Sequence, residues 1–247
     1  VLKPFLIIIL ATILCDIKSN ILFKYLISIF LISIISLLLI AQPDIGQTLL
    51  VVFCWAVLIF TSGINIYILL AIFIAGASLL TYLIIYVPRF DYIQGRIFSF
   101  FNRETGTHNF QSDKAIESIT SGGFFGKGIG EGVLKNRVPE AHTDYIISVI
   151  SEEFGVVAIM LILLLFLILI YMVFKKISFE TNDKVKLILI GSISLILMQA
   201  TIHIGVNIRL FPTTGMTLPF LSYGGSSIIS TSILAGIILN LTKRKIT

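Results

Sequence analysis

Residues 45–88 read IGQTLLVVFCWAVLIFTSGINIYILLAIFIAGASLLTYLIIYVP and contain no Asp, Glu, Lys or Arg. A bilayer core of about 30 Å is crossed by about 20 apolar helical residues. The run is too long for one helix, and Thr61-Ser62-Gly63-Ile64-Asn65 supplies a turn inside it. Two spans are expected, over 47–61 and 65–87.

The same pattern recurs on both sides. Residues 25–41, 154–174 and 187–208 are free of those four residue types, and a last apolar helix is expected over 228–241. Residues 4–15 are too short for a full span and read as a partial one. The fold class expected is all-α: a polytopic transmembrane bundle of about six or seven spans with one long extracytoplasmic loop, 88–143, in a single membrane domain over 1–247. Composition agrees. Hydrophobic residues make up 57% and charged ones 13%, about half the usual charged share, and the mean hydropathy is +1.03. This excludes a soluble enzyme and a disordered chain. The net charge of +5 does not indicate nucleic-acid binding, because the basic residues lie between apolar runs. Cys15 and Cys54 both lie in such runs, without metal-ligand spacing. The first residue is Val, so the chain reads as a fragment, a processed product or a non-standard start, and no signal peptide is visible.

Lysines set the orientation. Lys18 and Lys24, then Lys175, Lys176, Lys184 and Lys186, then Lys243, Arg244 and Lys245 fall in alternate connections. Positive connections face the cytoplasm. That places Gln42-Pro43-Asp44, the 88–143 segment and the Pro- and Gly-rich 211–227 segment outside.

Polar groups at membrane depth are costly unless paired, so each is a functional candidate. Glu140-Ala-His142-Thr143-Asp144 leads into an apolar helix that also carries Glu152 and Glu153. Thr143 or Asp144 could cap that helix, which leaves Glu152 and Glu153, about two turns further in, unexplained. Gln199, His203 and Asn207, spaced i, i+4, i+8, draw a polar stripe on one helix face, suited to interhelical hydrogen bonds. Arg209 follows and could snorkel or meet an anion. In PTTGMTLPFLSYGGSS, 212–227, prolines and glycines break helices, and Gly224-Gly225 opens a new one whose amides could bind phosphate. GGFFGKGIGEG, 122–132, is neither a Walker loop nor a dinucleotide fingerprint, and reads as a flexible loop presenting Lys127.

Taken in order, KP at 3–4, QPDIGQT at 42–48, QSDKAI with GGFFGKGIG, PEAHTDYI at 139–146, EEFG at 152–155 and PTTGMTLPFLSYGGSS resemble the SEDS family of bacterial cell-wall polymerases (FtsW, RodA, SpoVE). PEAHTD and PTTGMTLPF are more similar to the division-type members, FtsW, than to the elongation type. Tyr145 and Arg209 depart from the commoner family residues. The resemblance covers nearly the whole chain and implies about ten spans in a full member, the N-terminal helices lying outside this chain; residues 1–247 alone are expected to be inactive.

The resemblance implies a peptidoglycan glycosyltransferase that polymerises lipid II into β-1,4-linked glycan at the outer face of the cytoplasmic membrane, at the division septum. Asp144 is implied as its general base. Lys127, Arg137, Arg209 and the Gly224-Gly225 turn are candidates to receive the leaving pyrophosphate; Glu140, His142 and Glu152 are candidates to position substrate; and Asp44 is a candidate to hydrogen-bond across the bundle. No cofactor is demanded, although a divalent cation, Mg2+ or Mn2+, could share that work. The implied partners are lipid II, a class B penicillin-binding protein and other division proteins. The competing readings are a lipid II flippase, for which Glu152, His203 and Arg209 would line a path, and a division scaffold for a transpeptidase.

Overall fold

A computed structural model describes residues 2–16, 21–101, 107–133 and 138–243. Among the described residues it is helical and has no strand. The helices are α1 Leu2–Asp16, α2 Ile21–Ala41, α3 Ile45–Thr61, α4 Ile66–Tyr86, α5 Asp91–Phe101, α6 Thr107–Gly122, α7 Ile146–Phe179, α8 Asp183–Asn207 and α9 Gly225–Thr242, with a 3-10 turn at Pro88–Phe90. Five of these, α2, α4, α7, α8 and α9, are long and apolar enough to cross a membrane; α1 and α3 are shorter apolar helices. The chain is a multi-pass membrane protein. Helices run past the uncharged windows at several ends. Charged residues at a helix end can stay in water, so Lys24, Lys175, Lys176, Asp183, Lys184 and Lys186 are all helical.

The chain divides into two compact units. The first comprises Val1–Ile93, Tyr171–Met198 and Ile229–Thr247. Here α1, α2 and α3 pack on one another. Leu10, Leu50, Leu58, Ile59, Leu189 and Ile196 are fully buried. Gly191 admits this packing: a Cβ there would lie 2.7 Å from Ile7 Cγ2 and 3.1 Å from Leu58 Cδ2. Cys54 Sγ lies 3.6 Å from the Gly191 carbonyl. The α3–α4 turn forms where expected, because Gly63 takes φ +92° and Asn65 caps α4 by accepting Tyr67 N–H at 2.9 Å. Outward-facing Phe30, Leu37, Ile74, Leu79 and Ile85 are exposed, as expected of surface that meets lipid rather than water.

The second unit comprises Gln94–Ile170 and Gln199–Ile228. Its apolar centre is Ile147, Ala200 and Leu218, with Ile146, Ile159, Phe166 and Ile204 packed around it. Among its described residues the 88–143 segment contains the helices α5 and α6, which its low hydropathy does not reveal because they are short and polar. Helix α7 is broken at Gly155 (φ 76°, ψ −174°). The glycine-rich segment is docked on that break. Lys127 N–H donates to Glu152 O at 2.9 Å, Gly128 N–H to Glu153 O at 3.0 Å, and Val156 N–H to Gly123 O at 3.0 Å. Backbone amides left open by the broken helix therefore find partners in the loop.

Candidate functional site

The polar stripe on α8 holds backbone. Gln199 Nε2 donates to Thr217 O at 2.9 Å, and His203 Nδ1 lies 2.6 Å from Met216 O. A carbonyl only accepts, so Nδ1 carries the ring proton. Asn207 Nδ2 donates to Asp144 O at 3.0 Å and to His203 O at 2.8 Å. All three side chains are buried. The stripe thus fixes the 212–227 segment through its carbonyls and reaches Asp144, two residues before α7. From that segment, Ser222 Oγ donates to Thr143 O at 2.6 Å and Tyr223 N–H to His142 O at 3.0 Å.

The turn before α7 is tight. The amides of Thr143, Asp144 and Tyr145 converge on Glu140 O at 3.1, 3.1 and 3.3 Å, with Glu140 at φ 55°. The helix begins at Ile146. Thr143 does not act as its cap: its hydroxyl donates to Glu140 O at 3.1 Å and to Glu140 Oε2 at 2.9 Å.

This turn forms one wall of a cavity of about 390 Å³ lined by Arg96, Gln111, Glu140, Asp144, Tyr145, Thr213, Thr214 and Gly215. Arg96 Nη1 donates to Thr213 O at 2.9 Å. Gly215 faces the Asp144 carboxylate, where a Cβ would make ordinary van der Waals contact with Oδ2 at 3.5 Å. Burial raises the Tyr145 phenol above its ordinary pKa; a hydrogen bond with Ser112 opposes this, the Asp144 charge adds to it and the Arg96 charge opposes it. Tyr145 is therefore a neutral phenol at neutral pH. A carboxylate and a guanidinium in one cavity can take a proton and hold an anion.

Residues 1–246 match the model of the family of FtsW, RodA and SpoVE, described as cell cycle protein. The chain belongs to the FtsW/RodA/SpoVE family. This family member is 38% identical over 223 residues to the probable peptidoglycan glycosyltransferase FtsW of Francisella salina, covering 86% of this chain and 54% of that protein. It is 36% identical over 214 residues to the protein of the same name in Caulobacter vibrioides, covering 84% of this chain and 52% of that protein. A solved chain from a peptidoglycan synthase complex that coordinates polymerization and crosslinking superposes with a TM-score of 0.77 at 28% identity, covering 96% of this chain and 66% of that one. The chain spans about half the length of the curated relatives it matches.

Within this FtsW/RodA/SpoVE chain, the residues singled out in the sequence scatter. Asp144 and Glu140 line the cavity. His142 is exposed and contributes its carbonyl to Tyr223. Glu152 is fully buried and accepts from Ser118 Oγ at 3.1 Å, and Lys127 Nζ lies 3.5 Å from its other oxygen. That pair pins the glycine-rich loop, so Lys127 is not simply presented to solvent. Arg209, at φ 58°, pairs with Asp113. Gly224 lies against Thr217, its Cβ position 3.3 Å from Cγ2, and Gly225 opens α9 beside the Thr217–Ser227 hydroxyl pair. Asp44 belongs to the first unit and caps α3 by accepting Gln47 N–H at 3.0 Å. Arg137 lies outside the described residues. The three groups that would line a translocation path, Glu152, His203 and Arg209, are each engaged by a neighbour within the chain.

Sequence reasoning missed Arg96, Gln111, Tyr145, Thr213 and Thr214 as cavity residues. A helical reading of the stretch after Pro88 would have placed Arg96 one turn from Ile93, on the face that buries it. Among the described residues there is no group of three or more His, Cys, Asp or Glu that could hold a metal ion.

Proposed function

We propose that this protein works as a peptidoglycan glycosyltransferase, joining the disaccharides of lipid II into β-1,4-linked glycan, with Asp144 as general base. The single observation that carries this reading is the shared cavity of Asp144 and Arg96 at the start of a membrane helix. The names of the relatives support it.

The donor sugar is α-linked to pyrophosphate and the product is β-linked. One inversion needs one base and no covalent sugar intermediate, as in single-displacement glycosidases. Asp144 accepts the proton of the acceptor 4-hydroxyl. The freed oxygen electron pair forms the new bond to C1 as the C1–O bond to pyrophosphate breaks. Arg96 stabilises the charge that develops on the leaving group. Gln111, Thr213 and Thr214 offer amide and hydroxyl groups suited to sugar, and Gly215 leaves the room that a pyranose needs beside Asp144.

A divalent cation, if bound in the cavity, would be held by the Glu140 carboxylate and the Gln111 amide oxygen; a hard ion needs only one or two carboxylates when phosphates complete its shell. When bound it would supply further charge neutralisation to the pyrophosphate.

The apolar helix faces suit the undecaprenyl tail. The reading places the protein in the bacterial inner membrane at the division septum, with a class B penicillin-binding protein and other division proteins as partners. The test is direct. A full-length, membrane-embedded version of the protein is supplied with lipid II, and the product is digested with a muramidase. Polymer that is cleaved to disaccharides supports the reading; lipid II recovered unpolymerised, or only moved between leaflets, contradicts it.

A further inference from the structure

We infer that Asn207 and Ser222 are positioning residues that aim Asp144 into its cavity. The inference rests on Asp144 being the general base proposed above. Asp144 lies outside regular helix, in the turn that precedes α7 at Ile146. The turn satisfies its own amides: those of residues 143, 144 and 145 all go to Glu140 O. Its carbonyls are left to outside donors, and three successive ones are taken. His142 O accepts from Tyr223 N–H at 3.0 Å, Thr143 O from Ser222 Oγ at 2.6 Å, and Asp144 O from Asn207 Nδ2 at 3.0 Å.

Two of the three donors are side chains and can be removed singly. Ser222 is buried and also accepts from Leu218 N–H at 2.7 Å, which sets the direction of its own hydroxyl. Asn207 is fully buried, and its two carbonyl acceptors, Asp144 O and His203 O, fix which end of the amide is nitrogen. Its Oδ1 is buried without a hydrogen-bond partner among the described residues. A buried amide that leaves its own acceptor unmet is a poor device for stability alone. It suits a residue present for what its nitrogen holds. Without that nitrogen, the Asp144–Tyr145 peptide loses this buried donor, and the Asp144 Cα–Cβ bond shifts with the peptide. A shift of about 1 Å in a reacting group can lower turnover by about 100-fold.

The test compares Asn207→Asp, which keeps the shape and replaces the amide N–H donors by a carboxyl, with Ser222→Ala and Asp144→Asn in the full-length, membrane-embedded protein. Glycan synthesis from lipid II gives kcat and KM, and hydrogen exchange follows the amides of 140–146. The expected result is a kcat lowered about 10- to 100-fold for Asn207→Asp and about 10-fold for Ser222→Ala. KM for lipid II should stay within about twofold, with exchange across 140–146 at least about tenfold faster. Ser222→Ala removes one hydroxyl and carries the test if Asn207→Asp fails to insert. Wild-type kcat in both variants beside an inactive Asp144→Asn protein would overturn the positioning role and leave the base in place. Loss confined to KM, or unchanged exchange, would also overturn it. An Asp144→Asn protein that still polymerises at the wild-type rate removes the base reading itself, and this inference with it.

Discussion

Replacing Gly155 by alanine is predicted to undock the glycine-rich loop from α7. Gly155 sits at φ 76°, ψ −174°, a region where other residues store about 1–3 kcal/mol of strain. A Cβ would also overlap the Phe124 carbonyl and the Gly126 amide. Both are backbone atoms within the docked loop, so the overlap cannot be relieved by a rotamer change. Overpacking of this kind adds about 1–3 kcal/mol. Together the two effects disfavour docking by about 3 kcal/mol, or roughly 100-fold in the opening equilibrium at 1.4 kcal/mol per factor of ten. The assay is hydrogen exchange at the amides that bridge loop and helix, Lys127, Gly128, Val156 and Val157. Each should exchange about 100-fold faster. Gly123→Ala is the graded control: it has φ +59° but nothing within 4 Å, so only the left-handed strain of about 1–2 kcal/mol applies. Gly236→Ala, with open space and no positive φ, should leave those amides unchanged. Exchange in Gly155→Ala within about threefold of wild type would refute the claim that the break and the loop hold each other.

Two further predictions concern the basic side chains Lys127 and Arg96. Lys127→Met removes one cationic partner of the fully buried Glu152 carboxylate; with Lys127 itself partly exposed, the cost should be about 2 kcal/mol, seen as a melting temperature lower by about 4–8 °C. Adding Glu152→Gln to Lys127→Met should restore at least half of that loss. Arg96→Lys keeps the charge but loses the planar fork that reaches Thr213 O, so polymerisation should fall by at least about tenfold with little change in melting temperature. A proportional fall in melting temperature would instead mark Arg96 as a packing residue.

The membrane spans were legible because their signal is local: an uncharged run of bilayer length needs no knowledge of its partners. Gly63 and Asn65 marked the α3–α4 turn for the same reason. The α8 stripe was legible as a pattern, since i, i+4, i+8 spacing puts Gln199, His203 and Asn207 on one face. What they bond, three carbonyls in other segments, has no trace in spacing. Asp144 stood out as a carboxylate at the edge of an apolar run. Arg96 did not, because α5 is short and its arginine is one of several in a polar stretch. The docking of Lys127 and Gly128 on Glu152 and Glu153 was also hidden. Backbone bonds between residues about 25 apart leave no periodicity, and EEFG alone does not disclose that its glycine breaks a helix.

The account depends most on the Asp144 carboxylate, and one substitution addresses it. Asp144→Asn keeps size and hydrogen-bonding capacity but cannot accept the acceptor proton as a carboxylate does. Lipid II polymerisation by the full-length, membrane-embedded variant, followed over time beside full-length wild type, should fall by at least about 100-fold while the protein inserts and melts as wild type does. Glycan strands made at a near-wild-type rate by that variant would contradict the account.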